Sequence, residues 1–206
     1  MVVKRKPPII ILIQFIKMYE YRKVVEMKYN IERLIGLGKV LKREDFVFFW
    51  GHTARADKDA RACLSQWWLC TFEVDGVYYN CTEQYMMAEK ARLFGDADTL
   101  EKILASYEPM EQKKLGRRVQ GYDDATWKAH RFDAVLRGNV AKFSQNEKLR
   151  DYLLSTGDKI LVEASPKDDV WGIGLEESHP DAINPRRWPG MNLLGFALME
   201  VRDVIL

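Results

Sequence analysis

Asn80-Cys81-Thr82-Glu83-Gln84-Tyr85-Met86-Met87-Ala88-Glu89-Lys90-Ala91 is the stretch on which the reading of this chain turns. It follows two β-forming triplets, Phe72-Glu73-Val74 and Val77-Tyr78-Tyr79, which flank Asp75-Gly76. An Asp-Gly pair between such runs signals a hairpin, because a type I′ turn needs positive φ at both central residues. The hairpin delivers the chain into a helix that begins near Glu83. At about 100° per residue, Glu83, Met87 and Lys90 fall on one helix face. Two readings of that face fit. In one, Asn80 is the N-cap, Glu83 is the acid of a capping box, and Lys90 is a solvated amine. In the other, a carboxylate and an amine beside Met and Tyr form the wall of an active site.

Towards the N-terminus, Leu64-Ser65-Gln66-Trp67-Trp68 precedes the hairpin, and residues 51–61 are polar and turn-rich, hence a loop. Phe46-Val47-Phe48-Phe49-Trp50 is a dense β-forming run and reads as a buried strand. Residues 1–8 read as disordered. Helical patterns follow over about 12–27 and 31–35 until Gly36 and Gly38 break them. Residues 1–44 are therefore expected to be a basic extension of uncertain fold, and residues 45–206 the folded body.

Towards the C-terminus the pattern is mainly helical. Asp98-x-x-Glu101 has capping-box form and opens a helix over 100–106, and Pro109 suits the first turn of a helix reaching about Arg117. Asp123 or Asp124 caps a long helix to about Gly138, with Trp127, Arg131, Ala134 and Val135 on one face. Asn146 opens another helix, which Gly157 ends. Residues 159–164 form a short buried strand, and the last helix starts near Asn192 and buries Leu194, Leu198, Val201 and Ile205. Between them, residues 165–191 make a loop rich in Asp, Gly, Pro and Trp, of a length that is functional or disordered in compact domains. The expected class is α+β, a mainly helical single domain with a small β-hairpin or sheet.

With 206 residues, 47% of them hydrophobic, the chain suits one soluble domain with a sizeable core. The net charge of +2 conceals an asymmetry. Residues 1–44 hold eleven Lys/Arg against four Asp/Glu, and the rest hold twenty-one against twenty-six. A basic arm on an acidic body suits the holding of a nucleic acid or another anionic surface. Cys63, Cys70 and Cys81 make no CxxC and no metal pattern with His52, His130 or His179. Neither a disulfide framework nor a metal site is expected, and the odd count fits a reducing compartment, cytoplasm or nucleus. The apolar run from Ile9 to Ile16 is too short to cross a bilayer, so no membrane partner is expected. There is no G-x-S-x-G elbow, dinucleotide glycine fingerprint or P-loop. Asp168-Asp169-Val170-Trp171-Gly172-Ile173-Gly174 does offer acids, an aromatic and glycines that let a backbone approach a ligand.

Taken in order, the motifs resemble one family. They are Phe48-Phe49-Trp50, Leu64-Ser65-Gln66-Trp67, the Thr82–Ala91 stretch, Gly116-Arg117, Trp127, Asp169-x-Trp171-Gly172-Ile173-Gly174, and Asn192-Leu193-Leu194-Gly195-x-x-Leu198-Met199-x-Val201-Arg202. Over about residues 46–205 the chain resembles the YbiA-like or NADAR family, named for a proposed link to NAD and ADP-ribose. The resemblance implies a compact α+β fold and hydrolysis of an N-glycosidic bond without a cofactor. Two activities are attached to that family: cleavage of the base–ribose bond in early riboflavin intermediates, and removal of ADP-ribose from the amino group of guanine in nucleic acid. The basic arm favours ADP-ribosylated guanine. A non-catalytic ADP-ribose or NAD sensor is the rival of another class.

Both activities need a ribosyl cation stabilised while a base departs, which carboxylates accomplish in glycosidases generally. The resemblance makes Glu83 the first candidate carboxylate and Asp169 the second. Lys90 is an electrophile, an acid, or an amine that forms a Schiff base with an opened sugar. Trp127 and Trp171 are expected as stacking walls, and Arg117 with the Gly172 and Gly174 backbone as a phosphate site. Asn192 is expected to cap its helix or bond the ligand, and Trp50, Ser65, Gln66 and Trp67 to complete the binding wall. Glu83, Lys90, Trp127, Asp169 and Trp171 must then converge on one cavity.

Overall fold

The structure, a computed structural model, describes residues 27–51 and 60–206. The expectations for residues 1–26, and for most of the loop over 51–61, lie outside the described residues. A short helix α1 (Ile31–Gly36) precedes strand β1 (Phe46–Phe49), and the hairpin β2 (Phe72–Val74) and β3 (Val77–Tyr79) follows. Then come helices α2 (Thr82–Leu93), α3 (Ala97–Ala105), α4 (Pro109–Gly116), α5 (Asp124–Gln145) and α6 (Glu147–Ser155), strand β4 (Ile160–Glu163) and helix α7 (Leu193–Ile205).

The Asp75-Gly76 turn has φ of 52° and 78°, as a type I′ hairpin demands. The distant strands β1 and β4 pair in parallel, in a register that sets Phe46 opposite Ile160 and Phe49 opposite Glu163. Helix α5 packs between α2 and α7, and α7 lies against β4. Tyr85, Phe72, Phe143, Phe196, Leu161, Leu194 and Leu198 are fully buried and tie these layers into one core. Among the described residues no helix is long and apolar enough to cross a membrane.

Three helix boundaries differ from the sequence reading, each for a local reason. Helix α2 is capped by Cys81, whose Sγ accepts from the Gln84 N–H, while Gln84 Oε1 accepts from the Asn80 N–H at 2.8 Å. The capping pair sits one residue later than Asn80 and Glu83, which leaves the Glu83 side chain out of it. Helix α3 is capped by Asp96, which accepts from the Thr99 N–H, so Asp98 lies in its first turn. Helix α5 runs seven residues past Gly138. That glycine is no stop: a Cβ there would lie 2.6 Å from Tyr85 Cδ1, so its bareness admits the Tyr85 ring.

Loop 165–191 is stitched to the body through its backbone. Ile173 N–H donates to Glu163 O at 2.9 Å, Asn192 N–H to Gly172 O at 3.0 Å, and Met191 N–H to Asp169 O at 2.9 Å. The segment before β1 is also docked. The Lys28 N–H donates to Glu200 Oε1 at 2.7 Å, the Tyr29 hydroxyl donates to Asp203 at 2.8 Å, and Leu34 is buried.

Candidate active site

A cavity of about 770 Å³ opens where α2, α4, the start of α5, the end of β4 and loop 165–171 meet. The head of α2 is sewn to residues 64–68, because Gln66 O accepts from both the Glu83 N–H and the Thr82 hydroxyl. That join turns the Glu83 carboxyl inward. Glu83 is only 3% exposed, and its Oε1 has no hydrogen-bond partner. Burial pushes its pKa up to about 7, with Asp168 adding to the rise. Lys113, a hydrogen bond from Trp67, and Arg117 oppose it. Stripped of water, the charged form loses more than these neighbours return.

A second carboxyl, partly exposed but with one oxygen sealed, interacts with it. Glu163 is the last residue of β4; its N–H donates to Asn192 Oδ1 at 3.0 Å and its carbonyl accepts from Ile173. Its side chain lines the same cavity, and Oε2 is sealed without a partner. Burial pushes its pKa up to about 8, helped by Asp168 and Glu83 and opposed by Lys113. Among the described residues no three His, Cys, Asp or Glu side chains are grouped to hold a metal ion.

Rings and cations complete the lining. Lys90 Nζ lies 4.1 Å from the Tyr122 ring centre and 5.7 Å from that of Trp127. Burial, then the nearby Arg117, lowers its pKa. Lys113 Nζ stands 5.7 Å from the Trp67 ring, and the Arg131 guanidinium 6.0 Å from Trp171. Such a lining offers flat apolar faces to a base and positive charge to phosphates.

The NADAR domain model matches residues 48–206. This chain belongs to the NADAR family. It is 42% identical over 168 residues to N-glycosidase R617 of Acanthamoeba polyphaga mimivirus, across 79% of this chain and 98% of that protein. It is 32% identical to a riboflavin biosynthesis protein of Vibrio vulnificus, across 68% of this chain and 34% of that one. The solution structure of Escherichia coli YbiA superposes with a TM-score of 0.59 at 26% identity, covering 77% of this chain and 83% of that one.

In this NADAR protein the five residues required to converge, Glu83, Lys90, Trp127, Asp169 and Trp171, all line the one cavity, as do Trp50, Ser65, Gln66, Trp67 and Arg117. Trp50 is 59% exposed, so it borders the cavity with much of its ring in water. Gly172, Gly174 and Asn192 are not in the lining. A Cβ on Gly172 would sit 2.8 Å from Glu163 O, and one on Gly174 (φ 72°) 2.8 Å from Pro189 Cγ; both glycines let the loop fold closely on itself and on β4. Asn192 is fully buried in the left-handed region and makes no side-chain cap; it accepts from the Glu163 N–H and donates to Leu161 O at 2.9 Å.

Of the paired acids, Asp169 is exposed, whereas Asp168 interacts electrostatically with Glu83 and Glu163. Asp168 Oδ1 also accepts the Val170 and Trp171 N–H groups, at 3.0 and 2.7 Å, which fixes the turn that carries Trp171. Sequence reasoning missed Glu163, Lys113 and Tyr122, and of the two adjacent acids it chose Asp169 over Asp168. For Glu163 a signal existed: a carboxylate ends the apolar run Ile160-Leu161-Val162 just before the long loop.

Proposed function

We propose that this NADAR protein hydrolyses the bond between ribose C1 and a nucleobase nitrogen. One observation carries the reading: Glu83 is sealed from water, with an oxygen unbonded, in a cavity walled by rings and cations. Trp67 holds one side of the carboxyl, and Oε1 is left without a structural partner. In its ionised form it stabilises the cation that develops at C1 and takes a proton from an incoming water. Trp127 and Trp171 hold the flat base, and Arg117 and Arg131 face the phosphates. Asp169, at the same cavity, assists from its exposed position. The Lys90 amine, its pKa lowered by burial and by Arg117, meets the requirement for Schiff-base chemistry at C1 of an opened sugar.

Within that class we infer that the substrate is ADP-ribosylated guanine in nucleic acid. Support comes from the size of the cavity, from Lys113, Arg117, Arg131 and Lys167 along its lining, and from the basic character of residues 1–44. The likeness to a riboflavin biosynthesis protein favours a second reading, in which an aminopyrimidine ribosyl phosphate is cleaved.

The test offers the protein guanine-ADP-ribosylated DNA and, separately, the aminopyrimidine ribosyl phosphates, and follows release of the base. Turnover of the DNA adduct is expected, with Glu83→Gln slower by about 10² or more. Borohydride added to the same reactions should leave a covalent adduct that Lys90→Ala lacks. Turnover of neither substrate, alongside micromolar ADP-ribose binding, would make the protein a sensor instead.

A further inference from the structure

Strand β4 ends at the cavity in Glu163, whose backbone is fixed on one side by Asn192 and on the other by Ile173. Its position is therefore a property of the fold and not of a mobile loop. Its Oε2 is shut off from solvent and unbonded, and so is Glu83 Oε1 in the same cavity. The charged groups facing Glu163 are Glu83 from α2, Asp168 from the loop and Lys113 from α4. Two acids and a sealed oxygen, set against one cation, disfavour the ionised form. The protonated form turns that deficit into an asset. With the proton on its other oxygen, the partly exposed Glu163 presents an O–H donor to the cavity, where a departing nitrogen accepts it.

We propose that Glu163 is the acid that protonates the departing nitrogen, with Glu83 as its ionised counterpart. This rests on the N-glycosidase reading above. As the C1–N bond breaks, its electron pair stays with nitrogen, and the Glu163 proton moves onto that atom. The oxygen of a water forms the new bond to C1 and yields a proton to Glu83. Return of that proton through solvent to Glu163 restores the pair, and the sum is one water consumed for one bond cleaved. If Lys90 first forms a Schiff base, the water enters one step later and the protonation of nitrogen is unchanged. Burial pushes both carboxyls up in pKa, and the Trp67 hydrogen bond and Arg117 favour the ionised form at Glu83 while neither acts on Glu163. Such a split between neighbouring carboxyls is how acid and base roles are separated.

The decisive measurement is the pH dependence of single-turnover cleavage on the full chain, wild type against Glu163→Gln. The wild-type rate should fall on the alkaline side as Glu163 loses its proton. Glu163→Gln should be slower by about 10²–10⁴ and lack that alkaline limb. Carbon-13 labelling of glutamate carboxyls reads the same proton without catalysis. The wild type should show two carboxyls titrating well above the ordinary range, and one should vanish in Glu163→Gln. A wild-type profile flat to pH 9, or a Glu163→Gln rate within about threefold of wild type, overturns the proposal while leaving the N-glycosidase reading intact. Absence of wild-type turnover on either substrate overturns that reading itself. Should Glu163→Gln not fold, the wild-type profile and the wild-type carboxyl titration still decide.

Discussion

Glu83 and Glu163 bind protons more tightly in the folded chain than in the unfolded one, since burial lifts their pKa values to about 7 and about 8 from the usual 4.5. The stability they contribute is complete below about pH 4.5, where both states are protonated. It is lost as pH rises through 7 and 8, because only the unfolded chain then ionises freely. Urea unfolding should accordingly show a stability that declines between pH 5 and pH 9. At about 1.4 kcal/mol per pKa unit, the decline should amount to several kcal/mol. Glu83→Gln together with Glu163→Gln should flatten that slope and stabilise the protein at pH 9. An unchanged slope would mean that neither carboxyl holds an extra proton. Legibility differs between the two residues. Glu83 could be read because helical spacing sets it on the same stripe as Met87 and Lys90. For Glu163 the only local signal is its place at the end of an apolar run, and the pairing with β1 that sets this run in the core is a contact between segments far apart in sequence.

Between elements, the join of α7 to β4 holds Glu163 in place. Gly195 lies so close to the strand that a Cβ would meet Leu161 O at 2.1 Å, and Asn192 spans the same gap with two hydrogen bonds. Asn192 has φ of 53°, a conformation that Asn tolerates better than Ala. Asn192→Ala should cost about 2–4 kcal/mol, from two orphaned buried backbone groups and left-handed strain. Asn192→Gly should recover about 1 kcal/mol of that, since it relieves the strain but not the missing bonds. Urea titrations of both variants check this; equal losses would show that backbone strain plays no part. Sequence patterns served well where a boundary has a local cause. The Asp75-Gly76 turn, the Pro109 start and the apolar spacing of α7 are of that kind. They failed at Gly138, whose meaning lies in the Tyr85 ring on another helix. They failed again at Asn192, whose side chain serves the neighbouring strand and not its own helix.

At the scale of the whole molecule the charges divide by region. Residues 1–44 carry a strong positive excess and the remainder a negative one. Part of the basic segment is anchored, because Lys28 and Tyr29 reach Glu200 and Asp203 on α7. Lys4, Arg5 and Lys6 precede that anchor. Neutralising those three, as Lys4→Gln, Arg5→Gln and Lys6→Gln together, should leave cleavage of a short ADP-ribosylated guanosine unchanged, since the described residues that line the cavity keep their side chains. Affinity for a long ADP-ribosylated duplex should weaken. Each phosphate that the arm no longer neutralises lowers the steepness of the salt dependence by about 0.9, so its logarithmic slope should fall by up to about 3. Binding measured from low to moderate salt separates the possible outcomes. A smaller slope with intact cleavage of the short substrate would make the arm a non-specific hold on nucleic acid. An unchanged slope would mean that the duplex is held by the cations at the cavity, Lys113, Arg117, Arg131 and Lys167, and that the charge asymmetry of the chain has no part in choosing its substrate.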